Sequence, residues 1–139
     1  MNIDSIMIKR VVTVEMDDSL RVIGEIFANV KFHHLLVVEK NKLLGVISDR
    51  DLLKTSSPFL NTLSEQIRDV NTLRIRAHQI MSRKLVTVTK KDSVEDAVRL
   101  LLRKNVSCLP VISPNGQIEG IVTWKDLIKG YLQGLDDGR

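Results

Sequence analysis

The chain is short of several things, and each shortage closes off a class of protein. It has one cysteine, Cys108, so an internal disulfide is impossible and a reducing, cytoplasmic setting is the expected one. Aromatic residues make up 4% of its 139 residues, so the core is expected to be built from Val, Leu and Ile. No apolar run approaches the roughly 20 residues of a membrane span. The start, "MNIDSIMIKR", has no basic segment followed by an apolar one, and no signal peptide is expected. Blocks of like charge and low-complexity stretches are missing too. The net charge of +4 is mild, and no basic stripe with interleaved aromatics accompanies it, which disfavours nucleic-acid binding. There is no phosphate-binding Walker loop and no dinucleotide fingerprint. Three histidines and one cysteine show no metal-ligand spacing. Cys108 has no His-Asp set beside it and reads as a small core residue lining a cleft. Catalysis has no candidate, and an enzyme is not expected.

What the chain does have is a repeat. Subtracting 74 places Met81 on Met7, "VTV" at Val86–Val88 on "VTV" at Val12–Val14, and Asp92-Ser93 on Asp18-Ser19. "LPVI" at Leu109–Ile112 falls on "LLVV" at Leu35–Val38. One extra residue in a turn then moves the offset to 75. "GIVTWKDLIK" at Gly120–Lys129 falls on "GVISDRDLLK" at Gly45–Lys54.

Each copy reads β-α-β-β-α. A β-branched strand (Val11–Val14, Leu85–Val88) precedes an Asp-Ser pair suited to cap a helix. The helix has apolar residues at 20-23-24-27 and 94-97-98-101, the spacing of one helical face. Two strands joined by a turn follow (Leu35–Val38 and Leu43–Ile47; Cys108–Ile112 and Ile118–Val122), with "EKNK" and "SPNGQ" as the turns. A second helix opens at Ser48 or Thr123. A unit of about 50 residues is too small to hide both faces of its sheet. The expected fold is therefore α/β, of the α+β kind: two β-α-β-β-α repeats packed sheet to sheet about a pseudo-twofold axis, with a linker helix between. The boundaries are residues 1–54 for the first repeat, 55–76 for the helical linker, 77–133 for the second repeat and 134–139 for a frayed tail. In the linker, Leu63, Ile67, Val70 and Leu73 form an apolar stripe, and Arg68, Arg74 and Arg76 a solvated face.

The chemistry concentrates at the second helix of each repeat. Ser48 and Thr123 stand where free N–H groups and a partial positive charge suit a phosphate. Arg50 and Lys125, two residues on, add full positive charge. Asp51 and Asp126, three residues on, face the same side of the first turn, where a carboxylate can accept both hydroxyls of a ribose. A first-turn aspartate can equally do no more than complement the helix dipole. The matched pair, with the same neighbours in both copies, favours a ligand.

The tandem pattern, with "VTV…DS" early, "SCLPV" midway and "GIVTWKDL" at the end, resembles the CBS-domain pair, or Bateman module, over nearly the whole chain. The resemblance implies a stand-alone regulatory pair that binds AMP, ADP, ATP or S-adenosylmethionine between its repeats. It implies that Asp51 and Asp126 bind ribose, assisted at sugar or phosphate by Ser48, Thr123, Arg50 and Lys125. It places the adenine at Val12, Thr13 and Phe32 in the first repeat, and at Val86, Thr87, Val106, Ser107, Cys108 and Pro110 in the second. The aspartate of one repeat is expected to work with the base pocket of the other. "FHHLLVV" at Phe32–Val38 resembles the family's "HRLVV" stretch, so His33 and His34 stand where a basic pair reaches phosphates. A histidine near an anion has its pKa raised, which would make binding depend on pH. No resident cofactor or metal is implied; Mg would arrive only with ATP. Partners implied are the nucleotide, a second copy in a homodimer and an effector protein, with no membrane. The alternative in another class is a structural homodimerisation module that binds no nucleotide.

Overall fold

The computed structural model describes residues 1–55 and 72–137, which form two compact units. The first unit is Val12–Leu85. It contains β1 (Thr13–Val14), α1 (Leu20–Asn29), β2 (His34–Glu39), β3 (Lys42–Ser48), α2 (Asp49–Thr55), a 3-10 turn at Thr72–Arg74 and α3 (Ala77–Ile80). The second unit joins Met1–Val11 to Val86–Arg139. It contains a 3-10 turn at Ile3–Ser5, α4 (Val94–Lys104), β4 (Cys108–Ile112), β5 (Ile118–Thr123) and α5 (Trp124–Asp137). The predicted linker helix, with Leu63, Ile67, Val70 and Arg68, lies outside the described residues.

In the first unit, β1 runs parallel to β2, and β2 pairs antiparallel with β3. Lys40 and Asn41 both adopt positive φ, at 52° and 63°. This two-residue loop matches the strand twist and sets Glu39 opposite Lys42. In the second unit the extra residue is taken up by the turn Ser113–Gln117. There the Ser113 N–H donates to the Gln117 carbonyl, and Gly116 supplies a φ of 82°. Ser19 and Ser93 cap α1 and α4, accepting from the N–H groups of Val22 and Asp96. Their neighbours Asp18 and Asp92 accept from Glu15 and Thr89 N–H and so close the preceding turn.

The second repeat lacks the expected first strand. Around Val86–Val88 only a single parallel bridge forms, Val88 to Val111. The reason is Pro110. In the first repeat Leu36 N–H donates to the Val12 carbonyl at 3.1 Å, and Pro110, its counterpart, has no N–H to offer Val86. The ladder therefore starts two residues later, with Val88 N–H to Pro110 O and Ile112 N–H to Val88 O. The tail also differs from expectation. α5 runs to Asp137, so residues 134–137 are helical, with Leu135 continuing the helix's apolar spacing.

The cores are drawn from matched positions. The first unit buries Val14, Ile23, Leu35, Val37 and Ile47 with Ala77 and Met81; the second buries Val88, Ala97, Leu109, Val111 and Val122 with Ile3. The last members of each set are exchanged. The leading segment of each sequence repeat packs in the unit built on the other repeat. Ile3 and Asp4 N–H donate to Asp92 and Lys90 carbonyls, and Ala77 and His78 N–H donate to Asp18 and Met16 carbonyls. Ile8 bridges Ile121 as Ser82 bridges Val46. Arg76 is exposed, in keeping with the solvated face expected of it, and its guanidinium donates to the Asp17 carbonyl at 2.9 Å, which ties this segment to the turn before α1.

The exchange needs glycine in each sheet. A Cβ at Gly45 would lie 2.6 Å from Met81 Sδ, and one at Gly120 would lie 2.7 Å from the Ile8 carbonyl oxygen. A thioether can swing away, whereas a bridging backbone carbonyl cannot. Gly120→Ala is therefore expected to destabilise by about 2–3 kcal/mol and Gly45→Ala by about 1 kcal/mol. Urea unfolding of the two variants checks the order.

Candidate functional site

Both second helices begin with the same hydrogen-bonded box. Ser48 N–H donates to Asp51 Oδ2 at 2.8 Å, and Asp51 N–H donates to Ser48 Oγ at 3.2 Å. Thr123 N–H donates to Asp126 Oδ2 at 3.0 Å, the Thr123 hydroxyl donates to the same oxygen at 2.9 Å, and Asp126 N–H returns to Thr123 Oγ1 at 3.5 Å. This is a capping box, which satisfies two otherwise orphaned donors. The dipole-complementing role of these aspartates is thus realised. It uses Oδ2 alone, and a carboxylate has about four lone-pair sites, so each box retains an oxygen able to accept from a ligand. Glu or Gln is the usual partner in such a box. Asp, one methylene shorter, holds the carboxylate close to the helix start.

The cations take different settings. Arg50 is exposed at the mouth of the first box. Lys125 places its ammonium 5.7 Å from the centre of the half-exposed Trp124 ring, within cation–π range. α2 spans seven residues, Asp49–Thr55, so the first repeat offers a short helix dipole and the second a long one.

His33 and His34 join the first box's surroundings. His33 Nδ1 donates to Asp49 Oδ2 at 2.8 Å, and Asp49 N–H donates to the His33 carbonyl. His34 opens β2 opposite Ser48. Burial pushes its imidazole below the ordinary histidine value, and Asp49 and Asp51 only partly offset this against His33 and Arg50. In the folded chain His34 is therefore a neutral group at neutral pH. The second repeat has Ser107 and Trp124 at the equivalent corner, with the same backbone bond from Trp124 N–H to Ser107 O.

The expected adenine residues divide between the units. Val12 and Phe32 are half-buried and Thr13 is exposed in the first unit. Val86, Thr87 and Val106 are half-buried, Ser107 is exposed, and Cys108 and Pro110 are buried in the second. Cys108 pairs with Thr123 across β4 and β5. Burial pushes its thiol up to about 12, which suits a core residue and not a nucleophile. The sequence reading missed Asp49, which has no acidic counterpart in the second repeat, and the turn-closing roles of Asp18 and Asp92. A line-by-line comparison of the two copies at 49 and 124 is the signal that finds Asp49.

The CBS domain family model matches residues 3–57 and 77–133. The chain belongs to the CBS domain family. A CBS domain-containing protein of Dictyostelium discoideum is 34% identical, with 96% of this chain and 93% of that protein covered. An uncharacterized protein of Methanocaldococcus jannaschii is 31% identical, with 95% and 92% covered. In another protein of the same organism, the match covers 46% of the length. Among solved structures, CBSX2 in complex with AMP superposes with a TM-score of 0.76 at 27% identity, covering 95% of this CBS pair and 96% of that chain. Among the described residues no helix is long and apolar enough to cross a membrane, and no cluster of three metal-ligating side chains occurs.

Neutral, half-buried His34 gives the CBS pair a pH dependence of defined sign. Its folded pKa lies below its unfolded value of about 6.5, so the unfolded chain binds the extra proton and stability falls as pH drops. The contribution is complete above about pH 6.5 and is lost as pH falls toward the lowered folded value. Denaturation midpoints from about pH 7.5 to 5.5 are expected to drop less for His34→Gln than for the wild type.

Proposed function

We propose that the protein is a regulatory module that binds an adenosine-containing nucleotide and passes the bound state to a partner protein. The single observation that carries this is the recurrence of one box, hydroxyl and carboxylate with a cation beside it, in both units. Each carboxylate in it uses only one oxygen for capping. By this reading Asp51 and Asp126 accept the ribose hydroxyls, and Ser48, Thr123, Arg50 and Lys125 assist at sugar or phosphate. His33 and His34 lie toward phosphate, and the base rests on the apolar residues around Val12 and Val86. AMP in the similar CBSX2 supports an adenosine ligand. The candidates are AMP, ADP, ATP with its Mg, and S-adenosylmethionine. The role is non-catalytic and the setting cytoplasmic. Signalling requires that the ligand bind one conformation better than another.

The test is isothermal titration calorimetry with those four ligands on the wild type, Asp51→Asn and Asp126→Asn. Asparagine retains an oxygen for the capping N–H and removes the charge, so folding is preserved. Micromolar binding of one ligand, weakened at least about tenfold in one variant, is the expected result. A folded wild type that gives no heat with any of the four sinks the reading and leaves the structural module.

A homodimer accompanies this function. α5 exposes Trp124, Ile128, Tyr131 and Leu135, spaced four, three and four apart along one face. Aromatic residues and large aliphatics on a continuous helical stripe suit an interface. Light scattering is expected to show a dimer for the wild type and a monomer for Ile128→Glu; a dimeric variant would exclude this face.

A further inference from the structure

We propose that Asn115 is a site of spontaneous covalent modification: when its hairpin turn opens, the Gly116 nitrogen attacks its side-chain amide and converts it to aspartate or isoaspartate. The proposal is independent of the nucleotide reading above. Asn-Gly occurs once in the chain, at positions 115 and 116. Both hairpins carry an exposed asparagine, Asn41 between β2 and β3 and Asn115 between β4 and β5. The residue that follows sets them apart. A backbone nitrogen reaches the preceding side-chain amide only if its own residue leaves room. Glycine has no Cβ, whereas Lys42 puts a long side chain beside the nitrogen that follows Asn41. Asn41 is therefore a control within the same molecule.

The reaction consumes only water. The Gly116 nitrogen gives up its proton and bonds to Asn115 Cγ. The Cγ–Nδ2 bond breaks, and the amide nitrogen takes up a proton in return and leaves as ammonia. The cyclic imide then adds one water. Opening at Cγ gives aspartate. Opening at the main-chain carbonyl carbon gives isoaspartate, whose backbone runs through one more carbon.

The folded turn holds the attacking nitrogen back. Gly116 N–H donates to the Ser113 carbonyl at 2.9 Å, which closes a turn over Pro114 and Asn115. Proline at the second place and glycine at the fourth are the residues such a turn favours. Ser113 N–H donates to the Gln117 carbonyl at 2.8 Å, and Gln117 N–H donates to Ser113 Oγ at 3.1 Å. To attack, the Gly116 nitrogen must leave its bond to Ser113, so the rate follows the fraction of time the turn is open. Once isoaspartate forms, the longer backbone no longer sets Gly116 N–H on Ser113 O. The turn that places Ile112 opposite Ile118 is then loosened, and it carries a new negative charge.

The experiment is a time course of the full-length protein in mildly alkaline buffer, folded and in urea, with amide-to-acid conversion located by tandem mass spectrometry of its peptides. Asn115 is expected to convert first, with Asn41 unchanged over the same interval. Conversion of Asn115 is expected to be at least about fivefold faster in urea than in the folded protein, the worth of one hydrogen bond. Ser113→Ala removes Oγ and spares the carbonyl. It is expected to speed the folded reaction about two- to fivefold and to leave the rate in urea unchanged. Conversion of Asn41 as fast as Asn115 in urea, or none at Asn115 there, overturns the chemistry and the proposal with it. Equal rates at Asn115 folded and in urea, or a folded Ser113→Ala variant that converts at the wild-type rate, overturns the control by the turn.

Discussion

Everything else in this molecule depends on an exchange of leading segments between two copies of one sequence. A 50-residue β-α-β-β-α unit lacks the apolar area to close its own core. Here each unit is completed by residues that the sequence assigns to the other copy, Ile3 and Met7 in one, Ala77 and Met81 in the other. The same backbone bonds recur at both places, from Ile3 and Ala77 N–H to Asp92 and Asp18 carbonyls. Gly45 and Gly120 follow from it, because a side chain at either would stand where the borrowed segment crosses. The glycine that opens each repeated decapeptide is a packing requirement, set by a residue outside its own repeat.

The aspartate at the seventh place of the same decapeptide has a local reason to exist. Asp51 and Asp126 complete capping boxes, and a cap of this kind contributes about 1 kcal/mol to its helix. That explains an acidic residue there without any ligand. What it leaves unexplained is the choice of aspartate over glutamate, the second carboxylate oxygen, and the cation kept one residue earlier in both copies. In the proposed function, capping and ligand binding are compatible because they would use different oxygens of one group. The cap also fixes the carboxylate in place, and such preorganisation would lower the ordering cost of binding the proposed ligand.

Much of this was legible in the sequence because it is written twice. A pattern of apolar residues at 20-23-24-27 is a modest helix signal, and its return at 94-97-98-101 makes it firm. Strands β2 to β5, both capping serines and both hydroxyl-carboxylate boxes followed from that redundancy. What stayed hidden are features that redundancy cannot show. The exchange of leading segments is invisible, since a repeat aligned on itself does not say which copy its first residues pack against. The partial burial of His34, which lowers its pKa, could not be seen from residue type. Arg76 is exposed as expected, but its bond to the Asp17 carbonyl, 59 positions away in the chain, could not be foreseen. The linker could be read only as a pattern of spacing.

The differences between the copies are as informative as the likeness. Leu36 against Pro110 alters one hydrogen bond, and the consequence is a strand in one repeat and a single bridge in the other. Asp49 against Trp124 alters the charge and shape beside the box. One corner carries two carboxylates, Asp49 and Asp51, with His33 held to the first; the other carries one carboxylate and a lysine over an indole. A duplicated fold retains matched positions where packing demands them, as at Ile47 and Val122 or Val37 and Val111. It is free to diverge where the demand is recognition. In this chain the core positions match and the corners around the boxes do not, so packing has held the scaffold constant while the surroundings of the two boxes have diverged.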